Sequence, residues 1–347
     1  MIVPLDATIQ PPAGRTHGRL VSRTVRAWSV ALALLTCGVS ARAHAQSGAS
    51  AAVLLHRQGD DLVLEIGPID VPRADGQGSI APPSVKVVLP VNGWLNGFRL
   101  EVVDEQGAPL PTDLVTINVL SLRERELFAP VALRLAAVAP GSPAVELPRL
   151  IGYRATAGDT LLVSSRFHPQ SSRGYAGVRA RLRFPYVSAA AFIGAIRIQP
   201  FEFEVMSPGG AHEYDLPVGF SEHSWEGPPA FDGRILGLGG YVKRWATRLR
   251  FEDRTTGKIL WECALEPAAD GAVPSIPIAR FLATLGLRVH RDHRYRLTVQ
   301  YDNRAGAVLR GGGVGMIAGV FLPGGGPWPS ADRNDPVYLA DLLGFLK

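Results

Sequence analysis

From about residue 50 onward the chain is a succession of short runs in which apolar and polar positions alternate, broken by Gly, Pro and Asp. Runs at 62–66, 98–104, 160–167 and 178–184 have the two-residue period of half-buried strands, and Glu105-Gln106-Gly107 and Ala157-Gly158-Asp159 are turn signals between such runs. A second series occupies 201–323, with Asp253-Arg254-Thr255-Thr256-Gly257 reading as a hairpin connection. The weakly polar stretch 189–200 predicts a buried strand leading from one series to the other. Only 278–286 has a helical look, and 335–347 predicts a short amphipathic helix with Val337, Leu339, Leu342, Leu343 and Phe345 apolar. That tail is expected to dock on the second series, or else to contact a partner or a membrane surface.

Many short strands with frequent turns point to an all-β fold built from sandwiches. The chain has 347 residues, with Gly 38 and Pro 28. Its length exceeds what one core organises, so two domains are expected, 46–200 and 201–325, followed by a tail at 326–347. The formal charge of +5 is modest. Part of it lies in Arg15, Arg19, Arg23 and Arg26, and no later basic cluster carries interleaved aromatics, which argues against nucleic acid as a partner. Of the two cysteines, Cys37 falls in an N-terminal apolar run, which leaves Cys263 alone and predicts no disulfide.

That N-terminal run has the three parts of a secretion signal. Arg26 precedes an apolar core from Ala27 to about Val39, and Ala43-His44-Ala45 is a small-residue cleavage site. Residues 1–45 are therefore expected to be removed, and the remainder to fold in the periplasm or outside the cell. A retained anchor and lipidation at Cys37 are the competing readings. The apolar run is short for a spanning helix, and Thr36 before Cys37 suits a lipidation signal poorly.

The run Gly93-Trp94-Leu95-Asn96-Gly97-Phe98-Arg99-Leu100-Glu101-Val102-Val103-Asp104, followed by Gly107, Pro109, Leu110 and Pro111, resembles the opening of the copper type II, ascorbate-dependent monooxygenases, of which peptidylglycine α-hydroxylating monooxygenase is the best-known type. The resemblance continues through Pro148, Gly152-Tyr153, Gly158-Asp159, Gly239-Gly240, Tyr301-Asp302-Asn303, Met316 and Phe321. It implies two tandem jelly-roll β-sandwiches, each holding one copper: three histidines in the first, a His-x-His pair with a methionine in the second. A related two-sandwich architecture also serves an amidase that removes N-linked glycans.

The ligand positions depart from that pattern. The adjacent histidines of the first site would fall at Val115 and Thr116, leaving His168 as the one surviving imidazole; those of the second fall at Tyr241 and Lys243, leaving Met316. A valine offers no donor, an ammonium repels a cation, and a lone thioether holds copper weakly. The resemblance thus implies degenerate copper sites with His168 and Met316 as vestigial ligands, no catalytic residue and no resident cofactor. Copper is expected only under the alternative of a divergent monooxygenase or another enzyme of the same architecture, for which a cleft between the domains lined by convergent polar groups is the structural expectation.

Elsewhere, His212 and His223 flank a loop with Asp215 and Glu222, and His290 and His293 bracket Asp292; these are the remaining candidates for a metal or glycan contact. The glycine runs 311–313 and 324–326 lack the context of a phosphate loop, and no hydrolase signature is present. The expected function is a non-catalytic binding or assembly protein, such as an extrinsic subunit of a larger complex, with an unidentified protein or small ligand as its partner.

Overall fold

In the computed structural model, residues 52–74, 78–142, 144–170, 173–191, 195–206 and 208–346 are described. The signal-peptide expectation at 1–45 lies outside them. The protein is nearly all β, with antiparallel pairing throughout apart from one short parallel contact between Ile196–Arg197 and Ile151–Ala155.

The first series builds two facing sheets. One is organised on the long strand pair Asp61–Val71 and Tyr175–Ser188, in which Leu64 lies opposite Leu182 and Ile66 opposite Ala180. The other runs Val85–Val88, Thr160–Phe167, Val115–Arg125, Ala132–Val138 in spatial order. Alternation decides which face does what. Leu62, Leu64 and Ile66 meet Ile117, Val119 and Val163 in a core whose members are almost fully buried. On the outer side, the opposite phase places Arg181 beside Glu65 (2.6 Å) and Arg183 beside Glu101 (2.8 Å), partly exposed pairs that each contribute about 0–1 kcal/mol.

The second series repeats the plan. A sheet of Gln199–Glu204, Gly315–Pro323 and Gly233–Val242 faces a sheet of Gly219–Gly227, Tyr295–Asn303, Ala246–Asp253 and Lys258–Ala264. Phe201, Phe203, Ile317 and Phe321 from one meet Leu249, Phe251, Leu297 and Val299 from the other. The hairpin expected at 253–257 is present, with Asp253 Oδ1 accepting from the backbone N–H of Thr255 and Thr256 and Gly257 at φ +72° closing the turn.

The two cores are joined inside one compact unit, Gly48–Lys347. Leu127 and Phe128, at the tip between Val115–Arg125 and Ala132–Val138, leave the first sandwich and enter the second core. Phe128 is 1% exposed and stacks on Phe203 at 4.4 Å, with Phe201, Phe251 and Tyr295 edge-on at 5.8–5.9 Å. Burying such a ring is worth roughly 1.5–3 kcal/mol, with aromatic contacts adding to it. The stretch expected to be one buried strand is divided: Ile196–Arg197 stays with the first sandwich, and Gln199–Glu204 belongs to the second.

Two local expectations are corrected. The 278–286 stretch is a two-residue strand, Ala279–Arg280, and a single 3-10 turn, Leu282–Thr284. Between Pro277 and Gly286 there is no room for the several turns a helix needs to propagate. The C-terminal helix exists, Pro336–Phe345, started by the Asp335 side chain accepting from Val337 N–H at 2.8 Å. It docks on the first sandwich instead of the second, with Tyr338 packing against Leu120, Leu122, Ala132 and Leu162. Its inward stripe is Tyr338, Asp341, Leu342 and Phe345, the i, i+3, i+4, i+7 face, while Leu339 and Leu343 are 45% and 58% exposed. Among the described residues no helix is long and apolar enough to cross a membrane.

Candidate functional site

The positions singled out by the copper-site reading lie on well-formed strands or just past their ends, and the polar side chains His168 and Lys243 are engaged by protein partners. Val115 begins the strand Val115–Arg125 and is fully buried, in register with Phe167. Thr116 is opposite Arg166, and its Oγ1 lies 2.9 Å from His168 Nε2. Burial, with the positive charge of Arg166, pushes the His168 pKa down. In the second sandwich Tyr241 and Met316 are opposite each other on neighbouring strands. Lys243 Nζ forms an ion pair with Glu213 at 2.6 Å and donates to Gly311 O at 2.9 Å. These side chains do not fit copper: one imidazole engaged by a hydroxyl and one ammonium engaged by a carboxylate are the chemistry of structural pairing.

The other histidines are also separated. His212 Nδ1 meets Glu204 at 2.8 Å, whereas His223 stacks on the Tyr214 ring at 3.9 Å. His290 and His293 are ring neighbours at 4.8 Å, but His293 Nδ1 is committed to Asp253 at 2.8 Å. Among the described residues no three His, Cys, Asp or Glu side chains are grouped as a metal ion would need. One backbone feature stands beside the second position: Trp245 adopts φ +71°, a region large side chains avoid, with its N–H on Gly271 O at 2.8 Å and its ring against the bare Cα of Gly271.

The most unusual chemistry lies where the two sandwiches and the helix meet. Glu126, 1% exposed at the end of Val115–Arg125, accepts from the backbone N–H of Arg134 (2.6 Å), Glu202 (3.0 Å) and Leu127 (3.2 Å). Arg134, on Ala132–Val138, makes a two-pronged contact with Asp341 of the helix, at 3.0 and 2.6 Å, and approaches Glu202 at 3.6 Å. Glu202 and Glu204 share a face of Gln199–Glu204, being two apart on a strand, and Glu204 takes His212. Four carboxyls and two basic groups therefore meet around a small recess partly open to solvent.

Charge and burial divide the carboxyls. Burial raises Glu126 to about 7 despite Arg134 and its backbone donors. Burial and the neighbouring Glu204 raise Glu202 well above the ordinary carboxylate range. Burial also acts on Glu204, but the hydrogen bond and charge of His212 overcome it and hold Glu204 down at about 2. His212 is raised in return by Glu204 against its own desolvation. Desolvation opposes the Arg134 charge, and Asp341 and Glu202 more than offset it. A carboxyl whose pKa is pushed up beside one whose pKa is held down is the division of labour that acid–base chemistry uses, and equally a way to bury charge in a structural joint. Apart from His212, the sequence alone did not single out these residues; in FEFE at 201–204 the glutamates have the phase of an ordinary polar strand face.

No family model matches the sequence, and no curated protein matches it. Among solved structures the chain is similar to PNGF-II, at 9% identity and a TM-score of 0.29 over 80% of this chain and 62% of that one. It is also similar to a structure of infectious bursal disease virus Gx strain, at 13% identity and a TM-score of 0.23 over 80% of this chain and 73% of that one. The chain thus spans less than two thirds of the length of PNGF-II, and neither similarity reaches the level at which a shared fold is established.

Proposed function

We propose that the chain is an exported binding or assembly protein on two tandem jelly-roll sandwiches of the peptidylglycine monooxygenase type, a frame kept without its copper chemistry. The observation that carries this reading is the closure of both ligand positions: Thr116 on His168 at 2.9 Å, and Lys243 on Glu213 and Gly311 at 2.6 and 2.9 Å. Recruiting His168 to a metal would break its contact with Thr116, and recruiting Lys243 would require stripping a proton from an ion-paired ammonium. Residues bonded to one another in this way support a rigid frame that presents surface to a partner. The test is copper uptake by the purified chain, measured by elemental analysis after equilibration with Cu(II) and ascorbate. Less than a stoichiometric trace, with no ascorbate oxidation above buffer, is expected; two tightly held equivalents per chain would overturn the reading.

A second reading, an enzyme of the two-sandwich architecture working by acid–base chemistry, is favoured by the split between Glu202, raised by burial and its neighbour Glu204, and Glu204, held low by His212, beside the recess. Its test is a panel of amide and glycoside substrates. Turnover lost in Glu202→Gln and kept in Met316→Leu is its expected signature, and absence of turnover across the panel removes it.

A further inference from the structure

A second cleft, about 670 Å³ with part of it open to solvent, lies where the segment 327–330 crosses the first sandwich. Ser330 pairs with Glu124 near the end of Val115–Arg125, which seats Pro327 and Trp328 as one wall. The opposite side is built by the parallel contact noted above. Arg197 is in register with Gly152, and Arg154, two residues further along the same strand, shares that face. Three guanidinium groups, those of Arg123, Arg154 and Arg197, therefore line one cleft.

Their partners leave the cleft electrostatically unbalanced. Glu124, 4% exposed, accepts from Arg197 Nη2 at 3.1 Å, from Gln199 Nε2 at 2.9 Å and from Arg123 Nη2 at 3.4 Å. Arg123 Nη2 also lies 3.1 Å from Asp159. Two carboxylates thus face three cations. Among the described residues Arg154 has no hydrogen bond and no ion pair; it acts on Asp159 only through longer-range charge. Arg197 Nε is buried without a hydrogen-bond partner from the protein, a donor that burial normally leaves unsatisfied only at a cost. A guanidinium presents five N–H donors in a planar fork, and here most of that capacity is unused.

We propose that this cleft binds a small ligand through an oxyanion, a carboxylate or a phosphate, with Arg154 as the principal contact and Arg197, held on Glu124, beside it. The fork geometry of arginine matches both oxyanions in two-pronged contacts, and the third cation supplies the charge that the protein's own carboxylates do not neutralise. Trp328 and Pro327 form one wall of the cleft. The site shares no side chain with the copper-ligand positions and stands whether or not the chain takes up metal.

The experiment is calorimetric titration of the full purified chain with inorganic phosphate and, separately, citrate, at pH 7 and constant ionic strength set with sodium chloride. Arg154 has no protein partner to lose, so Arg154→Gln preserves the fold, and its melting temperature checks that. One saturable site is expected for at least one of the two anions, weakened about tenfold or more in Arg154→Gln and partly restored in Arg154→Lys, which keeps charge but not the fork. Arg310→Gln, removing a guanidinium 91% exposed on the second sandwich, should leave the affinity unchanged. The tighter of the two anions identifies the oxyanion class. No binding by either above the chloride background, or equal affinity in the parent and Arg154→Gln, would overturn the proposal.

Discussion

Arg134 and Asp341 stand 207 positions apart and meet in a two-pronged ion pair at 2.6 and 3.0 Å, with their side chains 4% and 2% exposed. The arginine belongs to the first sandwich and the aspartate to the last helix, and Phe345 covers the guanidinium at 5.1 Å. A buried pair of this kind is weak evidence of net stabilisation, but removing one member strands the other. Asp341→Ala is therefore expected to destabilise the fold by about 3–5 kcal/mol in urea unfolding. It should also make the 331–346 segment the first site of proteolytic cleavage. Unchanged stability would mean that Glu202 alone suffices as the counter-charge.

Phe128 fills a hole in a core to which its own sandwich does not belong. Phe128→Ala should cost about 3–5 kcal/mol, the range for truncating a buried aromatic ring. Because that ring couples the two cores, the variant is also expected to unfold in two calorimetric steps where the parent unfolds in one. A single transition at lower temperature would show that the ion network joins the halves without it.

The junction carboxyls set a pH dependence whose sign follows from their folded pKa. Glu126 rises from 4.5 to about 7, so the folded state binds its proton more tightly than the unfolded chain does. Its contribution is fully present below about 4.5 and is lost as pH rises through 7, an effect of roughly 3 kcal/mol at most. Glu204, held at about 2, acts oppositely: its contribution is present above 4.5 and is lost as pH falls toward 2. Stability measured from pH 4.5 to 7.5 should decline in the parent, and the decline should be shallower in Glu126→Gln. Parallel profiles would show that Glu126 titrates normally.

His168 is one imidazole with a hydroxyl at 2.9 Å where a second imidazole could stand. Thr116→His is expected to raise Cu(II) affinity about tenfold or more over the parent, read by competition with a colorimetric chelator, since two imidazoles this close suit that ion. The further change Val115→His should add little, because Val115 is fully buried in the core. No gain in Thr116→His would mean that the strand spacing at this position cannot hold two ligands.

The strand architecture was legible because both sandwiches are half-exposed sheets, and a two-residue period is the direct imprint of that geometry at 62–66 or 247–253. The junction was not legible, for the same reason. Glu202 has the phase of a polar strand face, Arg134 lies on a largely buried strand and Asp341 on the inward stripe of its helix, and a two-residue period says nothing of which distant segments bring them together. His212 was singled out from sequence beside Asp215 and Glu222, but its partner is Glu204, a strand residue eight positions earlier. The short helix expected at 278–286 failed because composition outweighed length, and the inward face of the final helix includes an aspartate that no apolar pattern would place there.

The docking of the last helix on the first sandwich has a consequence for how the chain matures. Arg134 emerges from synthesis long before residue 341 exists, and until then it has neither its two-pronged partner nor the helix that covers it. The N-terminal sandwich therefore cannot reach its final state as a finished module while the rest is being made. Acquisition of the native structure waits for the carboxy end, so that the two halves consolidate together, late and over long sequence separation.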